Sequence, residues 1–165
     1  MKIFITNNSR ETQKLGEQFA ARSLLVASKT LASQGDSLSR SVVLALYGDL
    51  GSGKTTFVQG LAKGLGIERR IISPTFIIVR SYKLKSQSAN LKTTTQNLKL
   101  FYHIDLYRIE DEKDLIGLGL EEIMGDPQNI VVIEWAEKMK DMLPKRRIDI
   151  YFEYLNDKKR RIIIR

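Results

Sequence analysis

The sequence predicts an α/β fold: a three-layer sandwich around a mostly parallel central sheet, with antiparallel additions. Three observations predict it. Gly48-Asp49-Leu50-Gly51-Ser52-Gly53-Lys54-Thr55 stands between an apolar run, Val42 to Tyr47, and a segment of helical pattern, Thr55 to Lys63. That order is strand, glycine-rich loop, helix. Val42 to Tyr47 is continuous in its apolar character, as suits a central strand covered on both faces, and Ile130 to Ile133 is another strong strand. Strands and helical segments alternate, and the C-terminal end adds two strand-like runs around a turn.

The elements follow in order. Ile3-Phe4-Ile5 reads as a short strand. Ser9 is placed to cap a helix that starts near Arg10, with Glu11 in its first turn. Leu15, Phe19, Arg22 and Val26 are spaced for one face of that helix, Arg22 being the polar exception. Ser33 to Ser37 ends it. After the strand Val42 to Tyr47, the helix behind the glycine-rich loop runs to about Gly64 or Gly66. Pro74 marks a loop, and a strand begins near Phe76. Lys83 to Lys99 is polar, with no glycine or proline. It reads as a surface insertion between two strands of a hairpin, either a mobile functional loop or a tolerated excursion. Leu100 to Ile104 is the next strand and ends in Asp105. Asp111 to Met124 holds one or two short helices, broken by Gly117 and Gly119. Ile130 to Ile133 ends in Glu134-Trp135. Glu137 to Met142 is a helical turn stopped near Pro144. Ile148 to Leu155 and Arg161 to Ile164 form a C-terminal hairpin around Asn156-Asp157. With no internal repeat or second unit visible, residues 1–165 read as a single domain.

Composition narrows the class. The chain has 165 residues, 42% apolar and 28% charged, which is globular rather than disordered. It lacks a run of eighteen apolar residues, so no membrane span is expected. The N-terminus turns polar after Ile5, too soon for a signal peptide. The absence of cysteine excludes disulfides and thiolate metal sites and fits a reducing cytoplasm. Lys and Arg number 27 against 19 Asp and Glu, a net charge of +8. That balance suits nucleic acid, an acidic partner, or simply a soluble basic surface.

The loop carries the chemistry. Its glycines let backbone N–H groups converge on a polyphosphate, and the helix beneath adds its positive dipole end. Lys54 supplies a point charge for the β- and γ-phosphates and is expected on the solvent side of the loop. The Thr55 hydroxyl is placed to ligate Mg²⁺. Glu134 ends an apolar strand with a carboxylate, either a hard oxygen ligand or base facing the loop, or the first residue of the next helix. Asp105 also ends a strand, as a second such carboxylate or as the partner of Arg108. Thr75, in Ser73-Pro74-Thr75-Phe76, lies where a hydroxyl can sense the γ-phosphate. His103, the one histidine, reads as a strand residue rather than a catalyst. The chain lacks an Asn-Lys-x-Asp motif for guanine and a Leu-Ser-Gly-Gly signature. It is short for an AAA+ module. A small-molecule kinase would carry an arginine-rich lid, and Lys83 to Lys99 contains no arginine.

Four blocks stand in order: the loop with Thr56-Phe57, Ser73-Pro74-Thr75-Phe76, His103-Ile104-Asp105-Leu106-Tyr107-Arg108, and Val132-Ile133-Glu134-Trp135-Ala136-Glu137. Leu118-Gly119-Leu120-Glu121-Glu122 precedes the last. Together they resemble the TsaE family, formerly YjeE, over about residues 5 to 155. The insertion at 83–99 is longer than the family's usual connection. The resemblance implies a P-loop NTPase-like fold and an ATPase needed for threonylcarbamoyladenosine modification of tRNA at adenosine 37. It implies ATP and Mg²⁺ as cofactors, TsaD and TsaB as partners, and tRNA reached through that complex. It implies that Gly48, Asp49, Leu50, Gly51, Ser52, Gly53, Lys54 and Thr55 hold phosphate, with Thr56 near the α-phosphate. It implies that Thr55 and Glu134 ligate Mg²⁺, Thr75 acts as a switch, Asp105 serves the metal shell or the attacking water, and Trp135 lies near the nucleotide. Two alternatives stand beside it. One is a small-molecule kinase. The other is a nucleotide-regulated RNA-binding module, motivated by Lys158-Lys159-Arg160-Arg161, Lys145-Arg146-Arg147 and Arg69-Arg70.

Overall fold

The computed structural model describes residues 1–21, 41–74, 77–84 and 100–165. Strand β1 (Lys2–Thr6) leads into helix α1 (Ser9–Phe19); β2 (Val42–Tyr47) leads through the glycine-rich loop into α2 (Lys54–Gly64). Next come β3 (Val79–Lys83), β4 (Leu100–Asp105), a 3₁₀ turn (Glu112–Leu115), α3 (Leu120–Gly125) and β5 (Asn129–Glu134). A second 3₁₀ segment (Ala136–Met142), β6 (Ile148–Tyr154) and β7 (Arg160–Ile164) complete the chain.

All seven strands join one sheet in the order β1-β7-β6-β2-β5-β4-β3. The central four, β6, β2, β5 and β4, run parallel. β3 pairs antiparallel with β4 at one end, and β7 and β1 add antiparallel strands at the other. The expected α/β sandwich, parallel in the middle with antiparallel additions, is the observed one.

The two faces follow from the period-two alternation of strands. Val42, Leu44 and Leu46 of β2 face α1 and α2 with Ile130 and Val132 of β5 and Phe101 of β4. Val43, Ala45, Val131, Ile133 and Ile104 face the other way, onto Leu115, Leu120, Met124 and Met139. Each Leu or Ile buried this completely stabilises the fold by about 1.5–3 kcal/mol relative to exposure. Helices α1 and α2 touch at glycines. A Cβ on Gly60 would sit 1.8 Å from the Gln13 carbonyl oxygen, and one on Gly16 2.2 Å from that of Phe57. That contact seats α1 directly against the helix that begins at the glycine-rich loop.

Two local expectations are corrected. Asn8, not Ser9, caps α1: its side-chain oxygen accepts from the Glu11 N–H at 2.9 Å, while Glu11 reaches back to the Asn7 N–H at 2.8 Å. Glu11 also accepts from the Asn8 side-chain amide at 3.2 Å, and with Asn8 as cap, Ser9 is the first helical residue. The strand expected near Phe76 begins at Val79, because Ile77 and Ile78 form a turn held by bonds from both N–H groups to the Pro74 carbonyl. Arg22, Val26 and the Ser33–Ser37 stop lie outside the described residues. So does most of the insertion, residues 85–99. Its flanks do pair as a hairpin, with Lys83 opposite Leu100.

Candidate nucleotide site

The loop joins the C-terminal end of β2 to the N-terminus of α2. Gly48 has a φ of 132°. A Cβ there would meet the Phe152 carbonyl oxygen of β6 at 2.3 Å, so only glycine fits. Gly53 is the left-handed cap of α2 and offers no side chain to compete for the first-turn N–H groups. Those groups and the helix dipole favour an anion. The Ser52 hydroxyl is buried and has no hydrogen-bond partner among the described residues, a donor suited to a phosphate oxygen.

Lys54 is not on the solvent side as expected. It is only 4% exposed. Its ammonium donates to the carbonyls of Gly48 and Asp49, the second at 2.9 Å. The same Nζ lies 4.0 Å from the centre of the Trp135 ring. Trp135 closes over it from the end of β5, in a left-handed conformation with φ of 61°. Burial pushes the Lys54 ammonium below its ordinary pKa, and the negative charges of Glu134, Glu137, Asp105 and Asp49 oppose that shift.

Strand register supplies the carboxylates. Glu134 stands beside Leu46 of β2 and beside Asp105 of β4. Both acids therefore lie at the C-terminal ends of adjacent parallel strands, on the α2 face. Open α/β sheets bind ligands at this end. Thr55 donates its hydroxyl to Glu134 Oε2 at 2.8 Å. Glu134 Oε1 lies 2.7 Å from His103 Nε2. Asp105 Oδ1 accepts from the Tyr107 N–H at 2.9 Å, and its Oδ2 accepts from the Ser73 hydroxyl. The reading of Glu134 as a residue that merely starts a helix does not fit this geometry, since its side chain is buried against Thr55. Thr55 and Glu134 put two hard oxygens side by side, a donor set that fits Mg²⁺.

These groups line one cleft of about 360 Å³, bounded by Leu50, Gly51, Gly53, Lys54, Thr55, Thr56, Ser73, Asp105, Tyr107, Glu134 and Trp135. Gly48 and Asp49 contribute through the carbonyls that hold Lys54. Thr75 lies outside the described residues.

The Threonylcarbamoyl adenosine biosynthesis protein TsaE family model matches residues 6–162 of this chain. The chain belongs to the TsaE family. It is 36% identical over 157 residues to the tRNA threonylcarbamoyladenosine biosynthesis protein TsaE of Bacillus subtilis, covering 95% of this chain and 80% of that protein. The protein of the same name from Rickettsia felis is 33% identical over 159 residues, covering 96% of this chain and 76% of its own length. The crystal structure of Bacillus subtilis YdiB superposes with a TM-score of 0.66 at 29% identity, covering 98% of this chain and 82% of that one. Among the described residues no helix is long and apolar enough to cross a membrane.

Within this TsaE-family chain the structure adds residues that sequence reasoning passed over. His103 is more than a strand residue, being fully buried against Glu134. Period two from Asp105 was the available signal, since it puts both side chains on one face. Ser73 and Tyr107 hold Asp105. Tyr107 also meets Trp135 at 5.2 Å between ring centres. Lys138 donates to the carbonyls of Tyr107 at 2.6 Å and Ile109 at 2.7 Å, bracing that wall of the cleft. Arg160 donates to the Gly51 carbonyl at 3.1 Å from across the sheet. The basic clusters are thus partly committed within the protein: Arg161 pairs with Glu153 and Arg147 with Asp149.

Proposed function

We propose that this chain is a Mg²⁺-dependent ATPase that hydrolyses ATP to ADP and phosphate. In this reading it acts as one domain in the cytoplasm, with TsaD and TsaB, in threonylcarbamoyladenosine modification of tRNA. It meets tRNA through that complex. The observation that carries the reading is the 2.8 Å contact between Thr55 Oγ1 and Glu134 Oε2 at the mouth of a phosphate loop, in a chain of the TsaE family. The relatives' names supply the tRNA pathway.

In this reading the loop amides, the Ser52 hydroxyl and the Lys54 ammonium bind the β- and γ-phosphates. Thr56 faces the α-phosphate. Thr55 and Glu134 hold the cation, and Mg²⁺ bound there neutralises phosphate charge. Asp105, fixed by Ser73 and the Tyr107 N–H, orients the attacking water. Trp135 and Tyr107 wall off bulk solvent, which strengthens the charges inside. Thr75 serves as the γ-phosphate switch.

The test counts products. With Mg²⁺ and ATP, one free phosphate is expected for each ADP, with no phosphorylated acceptor. A phosphorylated small molecule would move the chain to the kinase class. Failure to bind ATP would end both readings.

A further inference from the structure

We infer that His103 is a positioning residue for Glu134, fixing the plane of its carboxylate so that one oxygen faces Thr55; this rests on the Mg²⁺-dependent ATPase reading above. His103 is fully buried on the α2 face of β4, two residues after Phe101 and opposite Val132 of β5. An apolar side chain would fill such a position at lower cost. Glu134 is its diagonal neighbour on the same face, within reach of a long side chain. A carboxylate only accepts, so the imidazole Nε2–H donates to Glu134 Oε1 across 2.7 Å. The other ring nitrogen, Nδ1, is buried with no partner among the described residues. The polar capacity that this ring uses is therefore directed at Glu134.

Glutamate has three side-chain torsions, and one contact would leave its carboxylate free to turn. Two contacts fix its plane. His103 holds Oε1, and Thr55 meets Oε2 at 2.8 Å. Loss of the imidazole donor leaves the phosphate grip of Lys54 and the loop in place but loosens the cation's oxygen set. Outer partners of metal ligands typically change metal affinity or activity by about tenfold to hundredfold.

The test uses the full chain and three proteins: wild type, H103L without a donor, and H103Q, whose amide nitrogen stands near the Nε2 position. ADP and a non-hydrolysable ATP analogue are titrated with and without Mg²⁺, read by calorimetry and by the fluorescence of Trp135, the only tryptophan. Metal-free affinity is expected to stay within about twofold in all three. The gain from Mg²⁺ is expected to fall about tenfold or more in H103L and to return in H103Q. In ATP hydrolysis KM for Mg²⁺–ATP rises as that gain is lost, and kcat falls with it. A wild-type Mg²⁺ gain in H103L overturns the inference, as does a folded H103Q impaired like H103L. Should H103L not fold, wild type decides. His103 is the only histidine, so its imidazole nitrogen spectrum is unambiguous. An Nε2–H tautomer whose signal moves on adding Mg²⁺ and ADP is expected, and an Nδ1–H tautomer or an unmoved signal overturns the inference. Wild type without any Mg²⁺ gain overturns the ATPase reading instead, and the tautomer alone then decides the contact with Glu134.

Discussion

The two faces of the sheet are built from the same strands and are equally dry, yet they differ in chemistry. On the face away from α1 and α2, β2, β4 and β5 present Val43, Ala45, Ile104, Val131 and Ile133, all buried. On the α2 face the same strands start apolar, with Leu44, Phe101 and Ile130, and end in His103, Asp105 and Glu134, which are 0%, 4% and 2% exposed. Burying an ionised carboxylate costs several kcal/mol unless hydrogen bonds compensate. Here Thr55, His103, Ser73 and the Tyr107 amide compensate. Ser41 and Asn129 are also buried, on the other face, but they are neutral and donate to the Met124 and Ile123 carbonyls. Among the described residues the buried acids and the histidine sit where strand ends meet the glycine-rich loop, so the difference points to chemistry, not folding.

Four substitutions break or sharpen that contrast. E134Q has the largest effect. Its amide retains an acceptor for His103 and a donor for Thr55, so melting temperature should hold. Phosphate release should fall by about 10²–10³, the scale of a lost electrostatic catalytic group. A destabilised E134Q would make the polar face structural. K54A comes next. It removes the ammonium held under Trp135 and should weaken Mg²⁺–ATP binding about hundredfold, roughly 2.7 kcal/mol, in calorimetry. Equal affinities would sink the phosphate-loop assignment.

S73A tests the support of Asp105. It takes one charge-assisted bond from that carboxylate, worth about 1.5 kcal/mol. Turnover should fall about tenfold at unchanged ATP affinity. I133V is the control on the opposite face. It should lower unfolding free energy by about 0.5–1.5 kcal/mol and leave turnover at the wild-type rate. A catalytic defect in I133V would mean that the faces are not separable.

The strand–loop–helix geometry around Gly48 to Thr55 was legible because it is local in sequence. Glu134 and Asp105 were legible as carboxylates that end strands. Their neighbours were not. His103 meets Glu134 only through the β4–β5 register, which pairs residues far apart in sequence. Arg160 reaches the Gly51 carbonyl only after the C-terminal hairpin has joined the sheet next to β2. Trp135 covers Lys54 because the chain turns left-handed at the end of β5, and the expectation of an exposed lysine failed for that reason. The Asn8 cap was missed through a competition between adjacent good caps, decided by which one Glu11 could answer. The swap of Ser9 for Asn8 moves the helix start by one residue and leaves the site untouched.

The proposed function has the polar strand ends turn over ATP in service of tRNA modification. The most direct measurement follows phosphate release and threonylcarbamoyladenosine formation together, in a mixture of TsaD, TsaB, tRNA, ATP and Mg²⁺, with this chain, with its K54A variant, or with neither. The account predicts sustained release and repeated modification with wild type, and neither with K54A or without the chain. Undiminished modification with K54A, or modification without ATP consumption by this chain, would contradict it.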